Sequence, residues 1–288
     1  MAELPRLNGI IRALEKGDCA FMTFTPISDI DAAVQLTQSK YDGVIFEGEH
    51  VGWDVRGLRD VLQYSLNRQL IANSGSVAPS VTPTARIPAN GVEKNQFLAK
   101  QALDLGVYGV VFPHISTVEE AYNAVAACRY PRLKDKPLYE PVGIRGDGPV
   151  PAARYWGISQ GDYYKRADTW PLDPKGEILT ILQIEDTHGI ANLRDILKNV
   201  PGIGAILIGE GDLSQELGYP RQYEHPAVLE AMAEIVAICK ENNVIVGHPH
   251  VEVTNMERVV NEGYKLLFCS APRTYATLDK VRGHVGRS

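Results

Sequence analysis

The sequence has no run of 18 apolar residues, no block of Lys or Arg, no C-x-x-C pair and no low-complexity tract. Each absence removes a class of protein. Without a long apolar run there is no candidate transmembrane helix. The opening Met1-Ala-Glu-Leu-Pro-Arg6 has no basic start leading into an apolar core, so no signal peptide is expected and a cytoplasmic location is. Positive charge is short: 29 Lys and Arg stand against 35 Asp and Glu, giving a formal charge of −6 and a pI near 5.7. Nucleic acid and anionic membranes both need a basic face, so neither is an expected partner. Cys19, Cys128, Cys239 and Cys269 are too far apart in the chain for a zinc or redox pair and are expected to pack as small buried hydrophobes. What is present is an ordinary globular composition, 44% apolar and 22% charged over 288 residues. That is enough for one large core, and residues 1–288 are read as a single domain.

Periodicity then sets the fold class. Short runs rich in Val, Ile, Phe and Leu alternate with longer amphipathic segments, the pattern of repeated βα units in an α/β protein. The strand candidates are Ala20 to Thr25, Gly43 to Glu47, Thr84 to Ile87, Gly109 to Pro113, Leu179 to Glu185, Ala205 to Gly209, Val244 to Gly247 and Leu266 to Cys269. Helix candidates fall between them at Ser28 to Ser39, Val55 to Asn67, Lys94 to Leu105, Val118 to Cys128, Gly189 to Lys198, Ala227 to Glu241 and Thr254 to Glu262, with a last one from Thr274. Eight strands each followed by a helix match a (β/α)8 TIM barrel. The alternation breaks once, at about 130–174, a Pro-rich stretch carrying Tyr155-Trp156, Tyr163-Tyr164 and Trp170. It reads as a lid or interface insertion, since a disordered linker would not be so aromatic.

In such barrels chemistry sits at the C-terminal ends of the strands. There the sequence places Glu47-Gly48-Glu49-His50, then Arg86, then Gln183 and Glu185 on one strand face, then Glu210-Gly211-Asp212-Leu-Ser214. Glu185 and Asp212 lie one βα unit apart, and two carboxylates without a cysteine suit a hard divalent cation such as Mg2+ or Mn2+. Asp212 is equally placed to cap the turn Leu213 to Leu217. His50 is either a hydrogen-bonded structural residue or a general base. Arg86, in an apolar neighbourhood, needs an anionic partner: Glu47, Glu49 or an anionic substrate.

The strings Gly48-Glu49-His50, Arg86, Arg129-Tyr130-Pro131, Gly143-Ile-Arg-Gly146, Gln183-Ile-Glu185 and Gly211-Asp212-Leu-Ser214 with Gly218, in this order and spacing, resemble the HpcH/HpaI aldolase family. Its members are class II, metal-dependent pyruvate aldolases such as 4-hydroxy-2-oxoheptanedioate aldolase, with macrophomate synthase related. The resemblance spans Asp18 to Val285. It implies a modified barrel assembled as a homohexamer, a trimer of dimers exchanging C-terminal helices. It also implies roles. Glu185 and Asp212 match the metal carboxylates, with Mg2+, Mn2+ or Co2+ as the cation, and Gln183 matches the glutamine lying over bound pyruvate. Arg86 matches the arginine that polarises the 2-oxo oxygen, His50 the base, and Asp104 the aspartate paired with that base. The backbone around Gly211 and Asp212, in the motif that ends at Ser214, matches the site for the substrate carboxylate.

The expected activity is therefore a lyase that cleaves or forms the C–C bond of 4-hydroxy-2-oxo acids, with a small 2-oxo acid and an aldehyde as partners. The alternative is decarboxylation of oxaloacetate to the same enolate followed by its capture, as in macrophomate synthase. An acyl-CoA lyase would need a basic phosphate-cradling loop, and none stands out. A Schiff-base aldolase would need a lysine at a strand's C-terminal end, whereas Lys265 precedes its strand. Four features depart from the family pattern. The Arg86 to Asp104 segment is long. Glu210-Gly211 stands where bacterial members usually carry Pro-Ala. His114 follows one strand, where it lines the aldehyde pocket or bonds a carbonyl. His248 and His250 follow another without a third ligand nearby. The aromatics Tyr155, Trp156 and Tyr163 point to a large or aromatic aldehyde, with the aldehyde half lying towards the insertion.

Overall fold

The computed structural model describes residues 5–270 and 275–287. Its strands are β1 (Ala20–Pro26), β2 (Gly43–Glu47), β3 (Thr82–Arg86), β4 (Gly109–Phe112), the two-residue β5 (Thr169–Trp170), β6 (Ile178–Ile184), β7 (Ala205–Ile208), β8 (Ile245–Val251) and β9 (Leu266–Cys269). All pairings are parallel. β1 joins β2 and β9, and a β4–β6 pairing closes the ring into an eight-stranded barrel, with β5 outside it as an edge on β6. The eight expected strands are these eight. β8 runs four residues further than its apolar core because a register shift between His248 and Val251 lets it bend at the rim.

The two-residue period of a strand sorts its side chains. Ala20, Met22, Ile45, Val111, Leu179, Ile181, Ala205, Leu207, Leu266 and Phe268 fill the barrel, while Phe21, Val44, Phe46, Val110, Phe112, Leu182 and Ile206 meet the helical layer. The floor is sealed by the helix Gly9–Glu15, which the sequence reading did not foresee: Asn8 caps it, and Ile10, Ile11 and Leu14 plug the interior. Gly43 makes room for the plug, since a Cβ there would lie 2.5 Å from Ile10 Cδ1.

The expected helices are present, with 55–67 split into Val55–Tyr64 and Arg68–Ser74 because Asn67 caps the second. The last begins, as described, at Ala276 and ends at His284; the expected start, Thr274, lies outside the described residues. Within 130–174 the helices Val150–Trp156 and Gln160–Arg166 are additional.

Buried charges clamp this insertion to the barrel. Arg129, 0% exposed, bonds Asp168 at 2.6 and 2.9 Å and the carbonyls of Leu138 and Pro141 at 2.7 Å. Trp156 stacks on Tyr108 with centroids 4.2 Å apart. Tyr155, Trp156 and Tyr163 are thus core, which removes the basis for an aromatic aldehyde read from them. Lys265 donates to Gly17 O at the floor, far from the strand ends that a Schiff base would need.

Candidate active site

Strand register builds the site. β2 and β3 pair Glu47 with Arg86, which follow Ile45 and Thr84 by two residues and so point into the barrel mouth. Glu47 ion-pairs with Arg86 through Oε2, and its Oε1 accepts the N–H groups of Glu49 (2.7 Å) and His50 (3.0 Å). Glu49 meets Arg86 Nη1 at 3.1 Å. Arg86 therefore has both of the acids offered for it by sequence, and its guanidinium also lies over Phe24, 5.2 Å from the ring centroid.

Arg86 Nη1 further donates to Gln183 Oε1 (3.3 Å), and Gln183 Nε2 donates to Glu185 Oε2 (2.5 Å). Burial pushes the Glu185 carboxyl up to about 7 against the lowering pull of His114, and burial likewise raises Glu49 despite Arg86. Gly209 gives Glu185 its space, because a Cβ there would overlap Oε2.

His114 is the residue that the sequence reading undervalued. It follows β4, the ring neighbour of β6, and its N–H donates to Glu185 Oε1 at 2.6 Å from a left-handed backbone (φ 56°). Its Nδ1 lies 3.4 Å from the same oxygen, and its Nε2 is 3.6 Å from Glu49. His114, Glu185 and Asp212 each offer one ligand atom within 4.8 Å of the others. Metal–ligand bonds of about 2.0–2.4 Å let such a trio close round one cation. Glu185 and Asp212 were signalled by their spacing of one βα unit, whereas the sequence signal of His114 was its position at a strand end.

Glu47 and Glu49 pair with Arg86, while among the described residues Glu185 and Asp212 have no guanidinium partner and face His114, an arrangement that favours a cation. A cavity of about 320 Å3 is lined by Phe24, His50, Arg86, Gln183, Asp212 and Arg221, among others.

Other expectations are redirected. Asp104 does not pair with His50: it binds Arg145 (2.9 Å), whose guanidinium lies over the Tyr130 ring, so the Gly143 to Gly146 string clamps the insertion onto the helix Gln96–Leu105. His50, 63% exposed at the rim, has Glu49 at 3.5 Å instead. Ser214 is fully buried, its hydroxyl donating to Gly211 O (2.8 Å) and accepting from Arg221 N (3.1 Å), so it shapes the loop and does not line the cavity. Asp212 lies in the first turn of the helix Glu210–Glu216, capped at Gly209, and is not the N-cap. The added charge of Glu210 is matched by His250, whose Nδ1 pairs with it and whose imidazole pKa is raised by that bond. His248 faces the helical layer against Tyr264, and burial lowers it to about 3. The cavity opens towards β7 and β8, and no insertion residue lines it.

This geometry has relatives. A hydroxypyruvate/pyruvate aldolase of Roseobacter denitrificans is 30% identical over 222 residues, 77% of this chain and 74% of the relative. A Burkholderia cenocepacia HpcH/HpaI aldolase/citrate lyase family protein superposes with a TM-score of 0.75 at 26% identity, over 97% of this chain and 98% of that one. Macrophomate synthase shares the fold, with a TM-score of 0.65 at 22% identity over 99% and 90%. Among the described residues no helix is long and apolar enough to cross a membrane. Residues 20–269 match the HpcH/HpaI aldolase/citrate lyase family, to which the chain belongs as a carbon–carbon lyase acting on small molecules.

Proposed function

We propose that the protein is a metal-dependent class II aldolase that breaks and forms the C3–C4 bond of 4-hydroxy-2-oxo acids, giving pyruvate and an aldehyde. The observation that carries the reading is the continuous chain Glu47–Arg86–Gln183–Glu185–His114 at the barrel mouth, ending beside Asp212. Glu185, Asp212 and His114 would hold a divalent cation, Mg2+, Mn2+ or Co2+, which supplies positive charge at the 2-oxo oxygen when bound.

The chain's own groups do the rest. Arg86, fixed by Glu47 and Glu49, stabilises the charge that gathers on the 2-oxo oxygen as the C3–C4 pair moves into the enolate. Gln183 lies against the pyruvate half, and the backbone at Gly211 and Asp212 takes its carboxylate. His50, exposed at the rim and backed by Glu49, removes the C4 hydroxyl proton as that carbon becomes the aldehyde carbonyl. Within one chain Asp104 binds Arg145 and does not reach His50, so the relay uses Glu49 behind His50.

Pyruvate release from a panel of 4-hydroxy-2-oxo acids tests the reading, before and after EDTA and with each metal restored. Cleavage lost with EDTA, regained with metal and abolished in Glu185→Gln supports it. Pyruvate from oxaloacetate alone would replace it with decarboxylation, and EDTA-insensitive cleavage would remove the metal. The same reading includes cytoplasmic residence, one catalytic domain and a trimer of dimers with exchanged C-terminal helices; light scattering should then give six times the 31.6 kDa chain.

A further inference from the structure

The upper end of β8 divides two cavities. Its side chains alternate: Pro249 lines the cavity of the barrel mouth, while His248 lines a second cavity of about 460 Å3 outside the barrel, on the side of the helix Pro226–Glu241. Leu229 and Met232 of that helix give the outer cavity an apolar side. Glu210, Arg221, Tyr223 and His250 stand between the two.

Glu210 and His248 are buried polar groups on the outer cavity, and only the first is matched. Glu210 pairs with His250. His248 is 3% exposed, and its Nδ1 accepts the His250 N–H at 3.2 Å, which leaves the proton of the neutral ring on Nε2. Burial keeps that ring neutral, with a pKa near 3. Among the described residues Nε2 has no hydrogen-bond partner. A buried N–H donor without an acceptor costs about 1–3 kcal/mol, so a ligand that supplies the acceptor recovers it.

The rest of the lining sets the ligand's chemistry. Tyr223 and His250 stack with centroids 5.5 Å apart and 21° between their planes, a flat aromatic wall. Glu210, Glu224 and Glu252 line the cavity against Arg221 and Arg258, and Arg258 is already paired with Glu224 (2.9 Å) and Glu262 (3.5 Å). That balance leaves no excess of positive charge to hold an anion.

We propose that the outer cavity is a binding site for an uncharged planar ring with a carbonyl or ring-nitrogen acceptor, which takes the His248 Nε2–H and lies between the Tyr223 wall and Met232. The site is outside the barrel and apart from the reacting atoms, so its ligand is neither the 2-oxo acid nor the aldehyde. The inference goes beyond the aldolase reading and does not depend on it.

Spectra of 13C-methyl-labelled methionine test it, because Met232 lines the outer cavity while Met22 fills the barrel. The probes are nicotinamide, its anionic counterpart nicotinate and the non-planar cyclohexanecarboxamide, added to metal-free protein without pyruvate. Nicotinamide is expected to shift Met232 saturably and leave Met22 in place, with both other probes binding more weakly. Tyr223→Ala should weaken nicotinamide binding roughly 2- to 10-fold, as should His248→Phe, which keeps a ring and loses the donor, and His248→Gln should restore part of it. Tyr223 is only half-buried, so its variant reads the site even where the change at His248 impairs folding. No shift of Met232, an equal shift of Met22, nicotinate binding as tightly as nicotinamide, or binding unchanged in Tyr223→Ala overturns the proposal. None of these readings needs metal or turnover, so their failure leaves the aldolase reading standing.

Discussion

Glu47 and Arg86 are register partners on β2 and β3, and the one carboxylate both pairs with the guanidinium and gathers the backbone N–H groups of Glu49 and His50. Two candidate catalytic groups thus share one anchor. Glu47→Ala would leave Arg86, 13% exposed at its side chain, with Glu49 as its sole carboxylate partner. Breaking such a pair should cost about 3–5 kcal/mol in urea unfolding, with a loss of kcat beyond that of Glu47→Gln, which keeps an acceptor.

His114 donates its N–H and offers its ring at the same carboxylate, so it should count as a third metal ligand. His114→Ala should weaken Mn2+ binding by about 10- to 100-fold in titration calorimetry, and binding equal to wild type would leave two carboxylates as the whole site.

Gly209→Ala places a methyl onto Glu185 Oε2. The carboxylate must swing away or the rim must shift, at about 1–3 kcal/mol. Mn2+ affinity should fall while circular dichroism stays that of the wild type.

His248 is 3% exposed, accepts His250 N–H at Nδ1 (3.2 Å) and is held neutral by burial, with a pKa near 3. Below about pH 6.5 the unfolded chain takes a proton there that the folded chain refuses, so this residue's contribution is complete above that pH and falls on acidification by about 1.4 kcal/mol per unit until about pH 3. Urea midpoints measured from pH 7 to pH 4 should decline more steeply in the wild type than in His248→Gln; parallel slopes would mean that the ring charges inside the fold.

Removing the clamp between Arg129 and Asp168 should loosen the insertion before the barrel. Arg129→Met leaves Asp168, 1% exposed, with Arg132 and the Thr169 N–H but without its bidentate guanidinium, and proteolysis within 130–174 should precede global unfolding.

The eight strands were legible in the sequence because short continuous apolar runs, as of strands buried on both faces, alternate with longer amphipathic segments, and the two-residue period of a strand put Gln183 and Glu185 on one face. Arg86 was legible as a charge in apolar surroundings that required acids, and Glu47 and Glu49 were in reach of that argument. The plug helix was not, since seven residues are too few for periodicity and Asn8 caps it only in the presence of the floor it seals.

Tertiary structure alone decided the partners. Ring closure put His114 beside Glu185, 71 residues away, and Glu210 beside His250, 40 residues away. It also took Asp104 from His50 and gave it to Arg145. A strand's period determines which way a side chain points, but which charge it meets depends on which strand end lies next to it, and only the closed barrel sets that.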